Sequence, residues 1–116
     1  MQFQSYSFGS ISIDGIIYEK DIVIDRGEIR KREKKSLKKS GGDFGHTPLS
    51  IEEDIPWKCQ TLVIGTGMNG ALPVMDGVKK EAKSRNVELI ILPTTEAIEK
   101  LKRNPEKTNA ILHLTC

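Results

Sequence analysis

A chain of 116 residues makes one ordinary domain, able to bury roughly two-thirds of its unfolded surface without a disulfide or metal staple. Its composition, 37% hydrophobic and 29% charged, is that of a soluble globular protein, and no apolar run approaches the roughly 18 residues of a membrane span. The net charge of +2 is too small for the usual footprint of a nucleic-acid binder.

Residues Met1 to Gly9 show neither a basic start followed by an apolar stretch nor an Arg-rich transit segment, so the expected location is cytoplasmic. Ser10-Ile11-Ser12-Ile13 alternates polar and apolar residues, the period of a half-buried strand. Asp14-Gly15 is a hairpin turn, because glycine accepts the positive φ such turns need. Ile16-Ile17-Tyr18 and Asp21-Ile22-Val23-Ile24 read as two more strands, Asp25 to Glu28 as a turn, and Ile29 to Arg32 as a fourth strand or its frayed end. Together they predict an N-terminal β-meander.

The segment Arg30 to Lys39 carries seven basic residues and one acidic one, so the rest of the chain is mildly acidic. Ser40 to Gly45 has the composition of a flexible loop. Ser50 and Glu53 have capping-box spacing and predict a short helix that Pro56 helps to end. Trp57 reads as a core anchor.

The second half changes character. Thr61 to Ile64 is a continuous apolar run, the pattern of a strand buried on both faces. Pro73 to Arg85 predicts a helix with Val74, Val78 and Ala82 on one stripe. Val87 to Leu92 predicts another buried strand. A second helix follows, opened by a threonine N-cap at Thr94 or Thr95, facing inward with Ala97, Ile98 and Leu101, and ended by Asn104-Pro105. Ala110 to Thr115 predicts the last strand. The alternation of strands and helices argues for one α/β domain over residues 1–116, with a central mixed sheet flanked by helices.

Gly65-Thr66-Gly67-Met68-Asn69-Gly70 links a buried strand to a helix. In open α/β sheets ligands bind beyond the carboxyl ends of strands, so this loop, walled by Thr94 and Thr95, is the candidate ligand site for a small anion or polar molecule. The G-x-G-x-x-G spacing is a poor dinucleotide fingerprint. Ala71-Leu72-Pro73 delays the helix, and no acidic residue stands at the tip of the next strand.

His113 and Cys116 raise a Cys-His nucleophile, but successive strand residues point to opposite faces. The carboxylate of a final residue would also raise its own thiol pKa. His113 is better explained as a packed residue with one satisfied hydrogen bond. If the last strand runs antiparallel to its neighbours, neither residue reaches the Gly65–Gly70 end. Cys59 and Cys116 match no CxxC spacing and are expected as thiols in a reducing cytosol. His46 and His113 have no zinc-ligand spacing, so no metal, cofactor or catalytic residue is expected.

Arg30, Arg32, Lys34, Lys35, Lys38 and Lys39 form a candidate partner or anion surface. Without an aromatic residue among them to stack a base, an acidic protein partner suits them better than nucleic acid. A solvated edge strand guarded by lysines is the simplest explanation of them and comes first, an acidic partner second.

Phe8-Gly9-Ser10-Ile11, Tyr18 with Asp21-Ile22-Val23, Gly45-His46, Leu62-Val63-Ile64-Gly65-Thr66-Gly67-Met68, Pro93-Thr94 with Glu96-Ala97, and His113-Leu114-Thr115-Cys116 together resemble domain-of-unknown-function family four-nine-eight, the Mth-like domain. That family includes an adipogenesis-associated protein and, more distantly, a mitochondrial respiratory complex I assembly factor. The resemblance covers nearly the whole chain and implies a three-layer fold with a central mixed sheet, an extra β layer and flanking helices. It implies no catalytic activity. A Tyr-Asn pair common in the last helix stands here as Leu101-Lys102. The expected function is a non-enzymatic protein-binding or assembly module, with self-association among its partner classes. The alternative is a small-molecule-binding protein or weak enzyme using the Gly65–Gly70 loop. The first predicts exposed apolar surface, the second a concave polar pocket at that loop.

Overall fold

Two tight turns organise the first thirty residues. At Asp14-Gly15 and Arg26-Gly27 both central residues have positive φ, 51° and 80° in the first, 51° and 82° in the second. This is the two-residue hairpin geometry whose twist matches the strands it joins. The first turn connects β2 (Ser10–Ile13) to β3 (Ile16–Tyr18), and the second connects β4 (Ile22–Asp25) to β5 (Glu28–Lys31). A further strand, β1 (Phe3–Ser7), lies ahead of the expected meander and pairs antiparallel with β2. The structure, a computed structural model, describes residues 1–33 and 48–116. Lys34, Lys35, Lys38, Lys39, Asp43 and His46 lie outside the described residues.

The chain continues through β6 (Thr61–Thr66), α1 (Asp76–Ser84), β7 (Glu88–Leu92), α2 (Thr94–Arg103) and β8 (Thr108–His113). The expected meander is split between two sheets. β1-β2-β3 form a sheet of their own, whereas β4 and β5 join a five-stranded sheet of order β5-β4-β8-β6-β7. The side chains explain the division. Ile22, Val23 and Ile24 are apolar on both faces of β4 and are all buried, which only a strand covered on both sides can achieve.

Alternation along the main sheet separates two cores. Ile22 and Ile24, Val63, and Ala110 and Leu112 face one side, where they meet Ile11 and Ile13 of the small sheet and Ala97, Ile98 and Leu101 of α2. Val23, Leu62, Ile64 and Ile111 face the other side, against Val78 and Ala82 of α1 and the connecting residues Leu49, Ile55 and Leu72. The fold is therefore three layers: the small sheet with α2, the five-stranded mixed sheet, and α1 with the segment before β6. Trp57 packs against the second core, half-buried, with the Arg85 guanidinium 5.3 Å from its ring centroid.

Two local expectations give way to tertiary contacts. Ser50 and Glu53 start no helix: the Glu53 N–H donates to the Ser50 carbonyl in a turn, while its carboxylate is drawn to Arg32. The predicted helix from Pro73 begins only at Asp76. Residues 73–75 are extended because Leu49 N–H donates to the Pro73 carbonyl and Met75 N–H donates back to the Leu49 carbonyl, a parallel bridge that places Val74 beside Leu49.

β8 runs parallel to β6 and antiparallel to β4. The direction left open by the sequence is thereby decided, and residues 113–116 arrive at the end of the sheet where β6 ends. With β7 on one side of β6 and β8 on the other, this end is the topological switch point at which α/β sheets open a crevice. No helix among the described residues is long and apolar enough to cross a membrane.

Candidate functional site

Gly65 and Thr66 extend β6, so the loop proper starts at Gly67. Gly67 has φ of 103°, a backbone region that side chains rarely occupy. Its position also leaves no room: a Cβ there would lie 2.5 Å from the Cys116 carbonyl carbon and 2.7 Å from the Thr115 oxygen. The main chain of Thr115 and Cys116 passes directly over the loop and takes its donors. Met68 N–H donates to the Thr115 carbonyl (2.7 Å) and Ala71 N–H to the Cys116 oxygen (2.9 Å), while Gly70 N–H turns back to the Gly67 carbonyl (3.2 Å). The amides of Met68, Gly70 and Ala71 are thus committed within the fold, and Met68 and Asn69 are exposed at its rim.

Thr94 and Thr95 part company. The N-cap position of α2 is Pro93, with no side-chain capping bond, so the expected threonine cap is absent. The Thr94 hydroxyl instead donates to the His113 carbonyl (2.6 Å) and accepts the Gly67 N–H (2.8 Å), tying α2, β8 and the loop together. Thr95 is exposed. Replacing Thr94 by valine keeps the shape but removes the acceptor of the buried Gly67 N–H and the hydroxyl that donates to the His113 carbonyl. Urea unfolding is expected to show a loss of about 1–3 kcal/mol, against less than about 0.5 kcal/mol for Thr95→Ala.

Beside this junction lies a buried charged network. Arg32, only 2% exposed, donates from Nε and Nη2 to both oxygens of Glu53 (2.8 and 2.7 Å) and from Nη1 to Asp21 Oδ2 (3.0 Å). Asp21 Oδ2 also accepts from His113 Nδ1 (2.7 Å), and Oδ1 accepts the Leu114 N–H (3.0 Å). The far ring nitrogen, Nε2, lies 3.1 Å from the Thr115 hydroxyl. Tyr6 donates its phenol to the Leu114 carbonyl (3.0 Å). Burial alone would lower the Arg32 pKa, but hydrogen bonding and charge from Glu53, with Asp21, hold it above its ordinary value. Burial, helped by the Asp21 charge, pushes the Tyr6 phenol up.

Arg32 thus leaves the expected basic surface and becomes an interior cation. Arg30 stays partly exposed but is paired with Asp25 (3.0 Å) and Asp54 (3.4 Å). Despite the opposing effect of burial, Arg26 and Arg30 keep the Asp25 carboxyl below its usual range. Nothing in the sequence separates Arg32 from its basic neighbours. Asp21 stands out only as one residue of the resemblance.

Chemically, Thr115–His113–Asp21 is a hydroxyl, an imidazole and a carboxylate in series, and His113 has partners on both ring nitrogens rather than the expected one. Thr115 borders a depression of about 460 Å³ whose wall includes Asp21, Arg32 and Leu114 and whose mouth carries Glu19, Lys20, Lys31 and Glu33. The Leu114 and Met68 amides close to that hydroxyl already donate elsewhere, so neither can serve as an oxyanion donor. Asp21 and Glu53 hold a guanidinium rather than an open metal position, and among the described residues no cluster of metal-ligating side chains is present. No disulfide joins Cys59 and Cys116, and burial pushes the Cys59 thiol up, away from the reactive thiolate.

The largest exposed apolar side chains of any strand belong to β3, where Ile16 is 56% and Ile17 68% exposed. β3 is the edge of the small sheet and, among the described residues, pairs only with β2.

The family described as "Protein of unknown function (DUF498/DUF598)" matches residues 3–104. A conserved hypothetical protein from Pyrococcus horikoshii OT3 has the same fold with a TM-score of 0.81 at 30% identity, covering 100% of both chains. A protein called MT938 is similar at 26% identity and a TM-score of 0.72, over 98% of this chain and 97% of that one. A Mth938-like domain from Bordetella pertussis, 15% identical, superposes with a TM-score of 0.62 over 97% of this chain and 84% of its own, a likeness of fold alone.

Proposed function

Given that the chain belongs to the DUF498/DUF598 family of proteins of unknown function, we propose that it is a non-enzymatic protein-interaction module whose contact surface is the β3 edge. The observation that carries this reading is the pair Ile16 and Ile17. They are adjacent β-branched residues, one on each face of an edge strand, and both are exposed. Edge strands offer unpaired backbone donors and acceptors, and folded proteins usually guard them with charge or proline. An edge left apolar suits a partner that adds a strand. The committed amides of Gly67, Met68 and Gly70 favour the same reading over a ligand at that loop.

A second reading is a small polar ligand or weak enzymatic activity, moved from the loop to the depression beside Thr115. It is favoured by the Thr115–His113–Asp21 series on the wall of that depression.

One experiment separates the two. A photoreactive amino acid replaces Ile17 in cells, and a control carries it at Lys80 on the exposed face of α1. The module reading expects discrete protein adducts from position 17 and none from position 80, competed away by the parent protein and not by Ile17→Lys. No site-specific adduct, together with a thermal shift by a small polar compound that Thr115→Val abolishes, would replace it with the ligand reading.

A further inference from the structure

We infer that the partner of the β3 edge is a second copy of this chain, the two β3 strands pairing antiparallel about a two-fold axis at Ile17. The inference rests on the interaction-module reading and names its partner.

Backbone geometry provides the first argument. In a hairpin with a two-residue turn, the pair flanking the turn exchanges both backbone hydrogen bonds, and pairs then alternate along the ladder. Here Ile13↔Ile16 flanks Asp14-Gly15, and Ser12↔Ile17 follows it. Ile17 is therefore opposite Ser12 without bonding to it, and its own N–H and C=O point away from β2. Placed on a two-fold axis, Ile17 can exchange both bonds with Ile17 of the second copy. An odd-length strand of three residues has one central residue, and that residue is the one with the outward groups.

The side chains fit the same register. Ile17 meets Ile17 on the outer face, and each exposed Ile16 lies opposite Tyr18 of the second copy on the inner face. Aromatic and β-branched residues are favourable cross-strand neighbours. A shift of one residue would separate all of these matches at once.

The symmetry closes, because one edge of each copy is consumed. The opposite edge, β1, exposes the polar residues Gln4 and Ser5 instead. A three-residue strand buries less than the ~1,600 Å² of a standard interface, so the dimer belongs to the weak, concentration-dependent class.

Sedimentation velocity from dilute to near-millimolar protein tests this. The parent is expected to move from monomer to dimer, Ile17→Lys to stay monomeric because it opposes two ammonium groups at the axis, and Ile16→Thr to shift the transition to higher concentration because it weakens the contact with Tyr18 of the second copy. Circular dichroism confirms that these surface variants fold. In a chain with Cys59→Ser and Cys116→Ser, Ile17→Cys is expected to form an intermolecular disulfide much faster than Gln4→Cys on the opposite edge, since directly paired strand residues lie within disulfide reach. A parent that stays monomeric throughout, a dimer indifferent to Ile17→Lys, or equal crosslinking from positions 17 and 4 would each overturn self-pairing. Site-specific adducts from position 17 to a different protein would then leave the module reading standing without it.

Discussion

Asp21→Ala is expected to destabilise the protein by about 3–5 kcal/mol, the cost of removing one partner from a buried charge cluster. Asp21 accepts hydrogen bonds from Arg32, His113 and the Leu114 amide at once. Alanine strips a compensating charge from a guanidinium that is almost fully buried and frees the start of the 114–116 segment. Equilibrium urea unfolding measures the loss. Because it is a large share of the 5–15 kcal/mol typical of a domain, Asp21→Asn serves as the milder companion. It keeps the shape and one carbonyl acceptor, and so is expected to fold with a smaller loss. Exchanging Arg32, Asp21 and Glu53 together for apolar residues of similar volume should cost far less than Asp21→Ala, since the penalty lies in the unpaired charge rather than in the lost attraction. An Asp21→Ala protein as stable as the parent would show that the network contributes nothing net to the fold.

Gly67→Ala is the second large effect. The methyl group would sit within 3 Å of Cys116 and Thr115 main-chain atoms, in a backbone conformation with φ of 103°. Backbone cannot rotate aside as a side-chain tip can, so either the loop or residues 115–116 must move. The strain alone is worth about 1–3 kcal/mol, and displacement adds the bonds from Met68 and Ala71 N–H. The melting temperature is expected to fall by several degrees, as about 2 kcal/mol requires in a domain of this size. Hydrogen exchange at the Met68 and Ala71 amides is expected to accelerate more than exchange in β4. Unchanged protection at those two amides would mean that the 115–116 segment does not hold the loop.

Both predictions concern groups whose role is invisible in one dimension. The continuous apolar run Thr61 to Ile64 by itself marked a strand covered on both faces, and alternation puts Val63 in one core and Leu62 and Ile64 in the other, whereas the three layers were implied only by the family resemblance. The turns at Asp14-Gly15 and Arg26-Gly27 were equally legible, since positive φ restricts the choice of residue. The candidate site was legible only as a place, the carboxyl end of β6, with Gly67 and Thr94 among its residues. What happens there was decided by the direction of β8, which no local pattern encodes. Running parallel to β6, it brings Thr115 and Cys116 onto the loop and His113 onto Asp21. The same holds for Arg32 and Glu53, read as a surface cation and a helix cap. A charge is stable in the interior only when its partner is placed beside it, and that partner, 21 residues away along the chain, is delivered by the packing of the sheet.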